Sequence, residues 1–316
     1  MRVFVFLIVL CPTVVFSQKL DHWASFRNIS SNSYFRLNYD NDYFNATDQN
    51  YTQGYSFEMV LPILEKNPIN KLLLKPKDNS YRYGFTLEHF GYTPGHYERP
   101  NIQKGDRPFS AAILSKSFVL ATNEVNKSRT STSLSLGLIG PGAFGKEMQV
   151  AIHKATGNKI PMGWQHQIKN DVVVNYGLHY EIQLFKYREL WALQGDASAN
   201  LGTLFTNASV GINSVFGILN NPFAVNGDRA FKLYAFAQPS ISIVGYDATL
   251  QGGVFNRNSP YIIESSEVTR VTGQLNFGLI LQTRSLYFEY TRSYLSTEFE
   301  SGEASGWGGV KIGFTF

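Results

Sequence analysis

Apolar and polar residues alternate one by one through many segments of the chain, and the last segment shows this most clearly. In residues 306–316, Val310, Ile312, Phe314 and Phe316 share one side of an extended chain, and small or polar residues stand between them. A period of two is typical of a β-strand with one apolar face. The same alternation recurs upstream, for example through residues 271–281, and it predicts an all-β protein.

Counting the alternating segments gives about twelve strands, an even number that suits an antiparallel transmembrane β-barrel. The predicted strands are residues 33–41, 52–61, 80–89, 109–120, 131–139, 171–184, 189–198, 203–216, 229–244, 267–282, 286–296 and 306–316. With both termini in the periplasm, the connections at the cell surface are residues 42–51, 90–108, 140–170, 199–202, 245–266 and 297–305. Unusual polar sequence concentrates in the first three, so function is expected at this end.

Composition narrows the classes of protein that remain. The 316 residues are 15% aromatic and 16% charged. The aromatic content excludes a disordered chain, because it supplies ample surface to bury. Beyond the first 16 residues, no apolar run approaches the ~20 residues that a membrane-spanning helix needs. A soluble β-sandwich and a transmembrane β-barrel both remain, since the strands of both alternate.

The amino terminus indicates export. An apolar stretch after Arg2 ends at Ser17, which predicts a signal peptide over residues 1–17 and a single mature domain over residues 18–316. The only cysteine, Cys11, lies in the apolar stretch, so the mature chain folds without disulfides. Loss of Arg2 lowers the formal charge from +4 to +3, which is too small to indicate nucleic acid as a partner.

Three features together favour the barrel over the sandwich: the signal peptide, the aromatic excess and the terminal Phe316. A last strand that ends in phenylalanine is typical of bacterial outer-membrane barrels. The expected location is therefore the outer membrane of a Gram-negative bacterium. A monomer is the default expectation.

The densest polar stretch is residues 40–54, in the first surface connection. Asp40, Asp42 and Asp48 alternate there with amide and hydroxyl side chains. Asp and Asn are natural turn residues, so a simple hairpin tip accounts for much of the pattern. The same oxygen atoms are also suitable ligands for Ca²⁺, although the spacing does not match an EF-hand loop. Both interpretations stay open on the residues alone.

The connection 140–170 contains the one helical pattern, which predicts a short helix over residues 145–157 in a surface loop. Gln149 and His153 are four residues apart and share a face of this helix. His153 is interpreted either as a surface histidine favoured by the helix dipole or as part of a site. The chain has no Gly-x-Ser-x-Gly, phosphate-loop or His-Glu-x-x-His motif, so a hydrolase would use an activated water.

Short motifs along the whole mature chain resemble the lipid A 3′-O-deacylase family of outer-membrane proteins. They are Asn41-Asp42, Tyr51-Thr52-x-Gly54, Tyr92-Thr93-Pro94, Gly105-Asp106-Arg107-Pro108-Phe109-Ser110, Gly137-Leu138-Ile139-Gly140-Pro141, Glu147-x-Gln149-x-x-x-His153, Gly163-Trp164-x-x-Gln167-Ile168, Thr249-Leu250-Gln251-Gly252 and Thr297-Glu298-Phe299. The resemblance implies a twelve-stranded barrel with its site on the outer rim, between the wall and a loop helix.

The resemblance also implies the chemistry of that site, a Ca²⁺-dependent ester hydrolysis that removes the 3′-linked acyloxyacyl chain of lipid A. His153 would be the base that takes a proton from water, and Asp42 would ligate Ca²⁺. Asn41, Thr52 and Gln149 would orient the histidine, the metal or the ester carbonyl. Residues 157–161 lack the acidic residue that some relatives have there, which leaves the second metal ligand open.

Basic side chains dominate the two longest loops of the first half of the chain. Connections 90–108 and 140–170 hold seven basic and three acidic residues. Lipid A carries phosphate groups, so Lys104 and Arg107 are expected to bind the lipopolysaccharide substrate, with Arg107 inside a matched motif. Ordinary contact with neighbouring lipopolysaccharide is the alternative. Two other functions stay open: a phospholipase A-like esterase and a non-catalytic channel or adhesin barrel.

Overall fold

The computed structural model describes residues 29, 31–42, 50–219, 221–224 and 231–316. In these residues, twelve antiparallel strands close into one barrel, and β1 pairs with β12. The strands are β1 (Tyr34–Asn41), β2 (Asn50–Val60), β3 (Ser80–Thr93), β4 (Ser110–Asn123), β5 (Ser128–Ile139), β6 (Asp171–Tyr187), β7 (Trp191–Gly202), β8 (Phe205–Ile218), β9 (Lys232–Asp247), β10 (Val271–Gln282), β11 (Leu286–Leu295) and β12 (Ser305–Thr315).

The twelve predicted strands and the all-β barrel are confirmed, with shifts at the ends. The largest shifts are of four residues. β3 continues to Thr93 rather than ending at residue 89, because its outer end stays paired with β2 and β4, and β7 ends at Gly202 rather than at residue 198. β10 begins at Val271 rather than at residue 267, and Val268 forms only an isolated bridge to Phe299. The predicted signal peptide, residues 1–17, lies outside the described residues.

Long and short connections separate the two ends of the barrel. At the end that carries Phe316, three connections are tight turns: residues 124–127, 188–190 and 283–285. At the other end, which we call the loop end, lie most of the long connections and helix α1 (Gly145–Thr156). The long connection 61–79 is at the end that carries Phe316. Gly157 ends α1 in the left-handed conformation at φ 73°, with its N–H on the carbonyl of His153, as expected for a helix stop. The short helix α2 (Ala248–Gln251) follows β9.

The lumen is filled by side chains. Its middle is polar and paired, as in the Arg36–Glu58 contact of 2.7 Å and the Lys116–Glu88 contact of 3.2 Å. Apolar clusters lie on either side of this polar layer, one towards each end of the barrel. Between the polar groups remains a cavity of about 110 Å³, lined by residues such as Leu114 and Lys116. None of the helices in the described ranges is long and apolar enough to cross a bilayer.

Candidate active site on the outer wall

Helix α1 lies against the outside of the barrel. Leu114 and Lys116 line the lumen, so Ala111 and Ile113, which alternate with them on β4, point outward. Ala111 contacts the start of α1 so closely that a Cβ on Gly145 would lie 2.4 Å from its methyl group. Only glycine permits this approach, and the helix is thereby held on the membrane-facing side of the wall.

Trp164 fixes the orientation of Gln149. The Trp164 indole packs on Phe109, with ring centroids 5.1 Å apart, and its Nε1 donates to Gln149 Oε1 at 2.7 Å. Gln149 is 1% exposed, and its Nε2 has no hydrogen-bond partner among the described residues. A buried amide N–H group without an acceptor is costly. The arrangement therefore presents two N–H donors for an acceptor that the described residues do not supply.

His153 lies one helical turn beyond Gln149 and is 5% exposed. Its Nδ1 is 2.5 Å from the carbonyl oxygen of Lys159, and the ring of Tyr97 packs edge-on at 5.2 Å. A carbonyl oxygen can only accept, so Nδ1 carries the proton and the lone pair is on Nε2. The loop after α1 thus selects the tautomer that can act as a base through Nε2.

A second group of side chains meets at the outer ends of β1, β2 and β3. A β-bulge between Tyr51 and Gln53 leaves Thr52 unpaired in the hydrogen-bond ladder between β2 and β3. The Thr52 hydroxyl bonds to the Thr93 hydroxyl, and Asn41 Nδ2 donates to the Thr52 carbonyl at 2.8 Å. The bulge therefore turns the Thr52 side chain towards β3. The two hydrogen bonds of Thr52 connect the ends of β1, β2 and β3.

Asp42 follows β1 directly and is 2% exposed. Its charge acts electrostatically on the hydroxyl of Tyr39, which also hydrogen-bonds with the Asn41 side chain. Asp40 has the opposite orientation, because its carboxylate accepts from Asn38 at 2.9 Å and lies against Gly309 of β12. The two aspartates therefore do not form one acidic cluster. Residues 43–49, including Asp48, lie outside the described residues.

The donors around Asp42 are suitable for a hard cation. Asp42, Asn41 and Thr52 offer carboxylate, amide, hydroxyl and main-chain oxygen atoms, and Ca²⁺ prefers oxygen ligands of these kinds. No group of three His, Cys, Asp or Glu side chains that could hold a metal occurs in the described ranges. A cation here would thus depend on one carboxylate and on neutral oxygens, and Asp42 would carry most of the ligand charge.

Trp164 lies between helix α1 and the outer ends of the first strands. The indole reaches the outer face of β3, where its Cη2 atom is 3.9 Å from the position a Cβ on Gly91 would take. Gly91 pairs with Gln53 of β2, and Gln53 pairs with Asn41 of β1. The structure therefore brings Gln149 of α1 and the Asn41–Thr52 pair to the same patch of outer wall, with His153 one turn further along α1.

Arg107 is buried, whereas an exposed cation at the rim was expected. Only 1% of its surface is exposed, and its guanidinium pairs with Glu298, donates to Thr249 Oγ1 at 2.7 Å and stacks 3.8 Å from the Tyr92 ring. Burial raises the pKa of Glu298 to about 7, and only the charge and hydrogen bond of Arg107 oppose this. The arginine joins three loop-end connections, and its guanidinium makes an internal ion pair rather than facing solvent. Binding of a lipid A phosphate by Arg107 stays a prediction.

This burial predicts a stability effect for Arg107→Met. The variant leaves Glu298 buried without its cation, and loss of one partner of a buried pair costs about 3–5 kcal/mol. Urea unfolding of the barrel in vesicles, followed by tryptophan fluorescence, measures the loss. Arg107→Met combined with Glu298→Gln removes both charges and is expected to regain most of it. Equal losses in the single and double variants would contradict a stabilising pair.

Lys104 remains at the surface, as expected. It lines an open cleft of about 580 Å³ between the connection 94–109 and residues 301–303, together with Arg99 and His96. Asp106 and Glu303 also line this cleft, so its charge is mixed. The cleft opens at the loop end, and its charged and polar lining suits a sugar or phosphate group rather than an acyl chain.

Several residues of the site had no expected role. Thr93, Trp164 and Tyr97 contact Thr52, Gln149 and His153 respectively. Thr93 and Trp164 lie in motifs that resemble the family, so the motifs marked them without showing what they touch. Tyr97 and the Lys159 carbonyl had no signal in the sequence, because ring packing and main-chain acceptors leave no pattern in residue types.

Comparisons with known proteins agree with this architecture. A family model described as "Outer membrane protein LpxR" matches residues 3–316. The solved structure of LpxR from Salmonella typhimurium is similar, with a TM-score of 0.72, 19% sequence identity, and coverage of 90% of this chain and 100% of that one. The β-domain of the Bordetella autotransporter BrkA matches with a TM-score of 0.48, 8% identity, and coverage of 90% and 99%.

The search among curated proteins gives no match. The family match extends over nearly the whole length, including both the strand ends that hold Asn41, Asp42 and Thr52 and the helix that holds Gln149 and His153. The barrel, the outer-membrane location and the suspected family are thereby confirmed. The chain belongs to the family of the outer membrane protein LpxR.

Proposed function

We propose that this protein is a Ca²⁺-dependent esterase that deacylates lipid A by hydrolysing its 3′-linked acyloxyacyl chain. The observation that carries the proposal is the buried His153, whose Nδ1 bonds to a main-chain carbonyl on the membrane-facing side of the wall. A site on the outer wall suits a substrate that is itself a membrane lipid. Family membership supports lipid A as that substrate.

The residues of the site divide the chemistry between them. His153 takes a proton from water through Nε2, while the Lys159 carbonyl keeps Nδ1 protonated and holds the ring. Gln149 directs its Nε2 donors at the ester carbonyl, because Trp164 occupies its Oε1. Bound Ca²⁺ would polarise the carbonyl and stabilise the developing negative charge.

The strand ends hold the cation side of the site. Asp42 is the charged ligand, and Asn41 and Thr52 supply or position neutral oxygens next to it. Thr93 fixes the Thr52 hydroxyl. Asp42, Thr52 and Thr93 are buried, so substrate binding displaces little water from them and the developing charge meets dipoles that are already oriented.

Substrate recognition is assigned to the loop-end cleft. Lys104, Arg99 and His96 line it, and phosphate groups of lipid A are suitable ligands for such side chains. With the loop end towards the cell surface, the cleft and the catalytic patch both meet the leaflet that contains lipopolysaccharide. The filled lumen argues against a channel, because apolar clusters lie on either side of its polar layer.

Mass spectrometry of lipid A from a Gram-negative host that expresses the chain tests this function. Loss of one 3′ acyloxyacyl group is expected in Ca²⁺ and not in excess chelator. Unchanged lipid A in both conditions, with a folded barrel shown by gel mobility, would contradict the proposal. Fatty acid released from purified glycerophospholipid instead would assign a phospholipase.

The main-chain bond to His153 predicts that the side chain at position 159 is dispensable. Lys159→Ala is expected to keep deacylation within about twofold, because the carbonyl that holds Nδ1 belongs to the backbone. Initial rates on purified lipid A at saturating Ca²⁺ measure this. A tenfold or larger loss would show that the Lys159 side chain itself takes part.

A further inference from the structure

The connection between β2 and β3 lies along the outer wall of the barrel. Its first 3-10 turn, Pro62–Lys66, lies beside β3, and its second, Pro68–Lys71, lies beside β4. Leu74 then reaches two further strands: its carbonyl accepts from Thr132 Oγ1 of β5, and its N–H donates to the Tyr176 hydroxyl of β6, both at 2.9 Å. We call residues 61–77 the belt.

Side chains beneath the belt point away from the lumen. Thr132 and Tyr176 alternate along their strands with residues that line the internal cavity. Ser117, which accepts from Asn67 of the belt at 3.1 Å, alternates with Lys116 in the same way. The belt therefore covers the surface that a barrel strand normally turns to lipid.

The covered wall differs in chemistry from the uncovered wall. Under the belt, Ser117 is 2% exposed and Thr132 is 0% exposed. On the far side, Val210 is 62% and Ile243 is 64% exposed, as expected of lipid-facing positions. Hydroxyl groups that face hydrocarbon are unfavourable, and the belt shields them. Where it crosses β4 and β5, the belt replaces the wall as the surface that meets lipid.

The belt's own outer surface is apolar and basic. Large apolar side chains are exposed on it: Ile63 at 60%, Leu72 at 65% and Leu74 at 54%. Four exposed lysines lie among them, at positions 66, 71, 75 and 77, against one acidic residue within the belt, Glu65. Lysine stems can follow apolar surface while the ammonium reaches a charged layer. Apolar and basic residues in one surface segment suit a membrane interface.

The height of the belt on the wall identifies the leaflet. Thr132 lies near the start of β5 at Ser128, and Ser117 lies in the half of β4 that ends at Asn123. Both positions are in the half of the barrel nearest the tight turns, opposite the loop end. Short turns face the periplasm in outer-membrane barrels. The belt thus faces the leaflet built of glycerophospholipids, far from the catalytic patch.

We propose that the belt is a lipid-binding surface for the periplasmic leaflet: its leucine and isoleucine side chains enter the acyl region, and its lysines bind glycerophospholipid phosphates. This binding sets the depth of the barrel on the side where its wall is polar. It does not depend on the esterase activity, because no belt residue belongs to the catalytic patch.

Spin labelling tests the acyl contact. The natural cysteine is first removed as Cys11→Ser in the full chain, and one label is placed by Leu72→Cys in vesicles of phosphatidylethanolamine and phosphatidylglycerol. Collision with oxygen should exceed collision with a water-soluble nickel chelate, as at a lipid-facing control, Ile241→Cys. The turn residue Val125, 90% exposed, gives the aqueous control as Val125→Cys. A Leu72 label that behaves like the Val125 label would overturn the proposal.

A charge variant tests the phosphate contact. Replacing Lys66, Lys71, Lys75 and Lys77 by Gln should lower the number of phosphatidylglycerol molecules retained in native mass spectrometry. Each lysine near an anionic surface strengthens binding by roughly fivefold. The variant's affinity for phosphatidylglycerol is therefore expected to fall by at least about tenfold, which lowers the number of molecules retained. The matched control replaces Lys146, Lys154, Lys159 and Lys169 at the loop end. Equal retention by both variants, or a loss only in the control, would overturn the phosphate assignment.

Discussion

His153→Gln is expected to lower the rate of lipid A deacylation by about 10²–10⁴-fold, the usual contribution of a general base. Glutamine fills a similar volume and can still donate to the Lys159 carbonyl, but its remaining amide oxygen is not a useful base at neutral pH. Initial rates on purified lipid A at saturating Ca²⁺ give the size of the loss.

The matched control is His166→Gln, in the same surface connection. His166 has no assigned role in the mechanism. It lies in the short 3-10 turn Trp164–His166, and its Nε2 is 3.0 Å from the carbonyl oxygen of Pro100. Deacylation by this variant is expected to stay near the native rate. Comparable activity of the two variants, with both barrels folded, would remove the base from the mechanism and leave water activation to the cation alone.

The strands were predictable because a barrel wall imposes a period of two on every residue that crosses it. Residues 306–316 and 271–281 show the alternation, and β12 and β10 cover nearly the same ranges. The ends were less predictable. β3 continues to Thr93 because pairing with its neighbours, rather than lipid contact, supports its outer part, and pairing leaves no trace in hydropathy.

The helical half of the candidate site was also visible in the sequence. Spacing places Gln149 and His153 on one face of a helix, and the structure buries both. The orientation of the Gln149 side chain was not visible in the sequence, since it depends on Trp164, fifteen residues away along the chain. The burial of Arg107 was not predictable for a similar reason. Its partner Glu298 is 191 residues distant, so local charge counts treated a buried ion pair as an exposed cation.

The position of the belt was also not predictable, because it depends on contacts that are distant in the sequence. Residues 61–79 combine leucine and isoleucine with several lysines and show no strand alternation, so the strand assignment left them only as a connection. Their position on the wall depends on contacts with Ser117, Thr132 and Tyr176, which lie 50 or more residues away. Hydroxyl residues on the lipid-facing side of β4 and β5 were the available signal, because an uncovered wall would be apolar there.

Asp42→Asn is expected to raise the Ca²⁺ concentration needed for half-maximal deacylation by at least about tenfold, because affinity in oxygen sites depends on ligand charge. Asp42 is the buried carboxylate at the end of β1, and its described neighbours Asn41 and Thr52 are neutral. Asparagine keeps the shape and one oxygen ligand. Excess Ca²⁺ should therefore restore much of the rate, a recovery that is not expected for His153→Gln. Terbium luminescence, sensitised by the nearby Tyr39, follows binding without relying on activity.

Asp40→Asn is the control that distinguishes a ligand from a general charge effect. Asp40 is two residues away, yet its carboxylate faces the lumen, where it accepts from Asn38 and lies against Gly309. Asp40 is not a direct ligand in this arrangement, so its charge changes the cation affinity less than loss of a ligand does. The Ca²⁺ requirement of Asp40→Asn should therefore shift clearly less than that of Asp42→Asn. An equal shift in both variants would mean that the cation responds to the total charge of the β1 end, and Asp42 would lose its assignment as ligand.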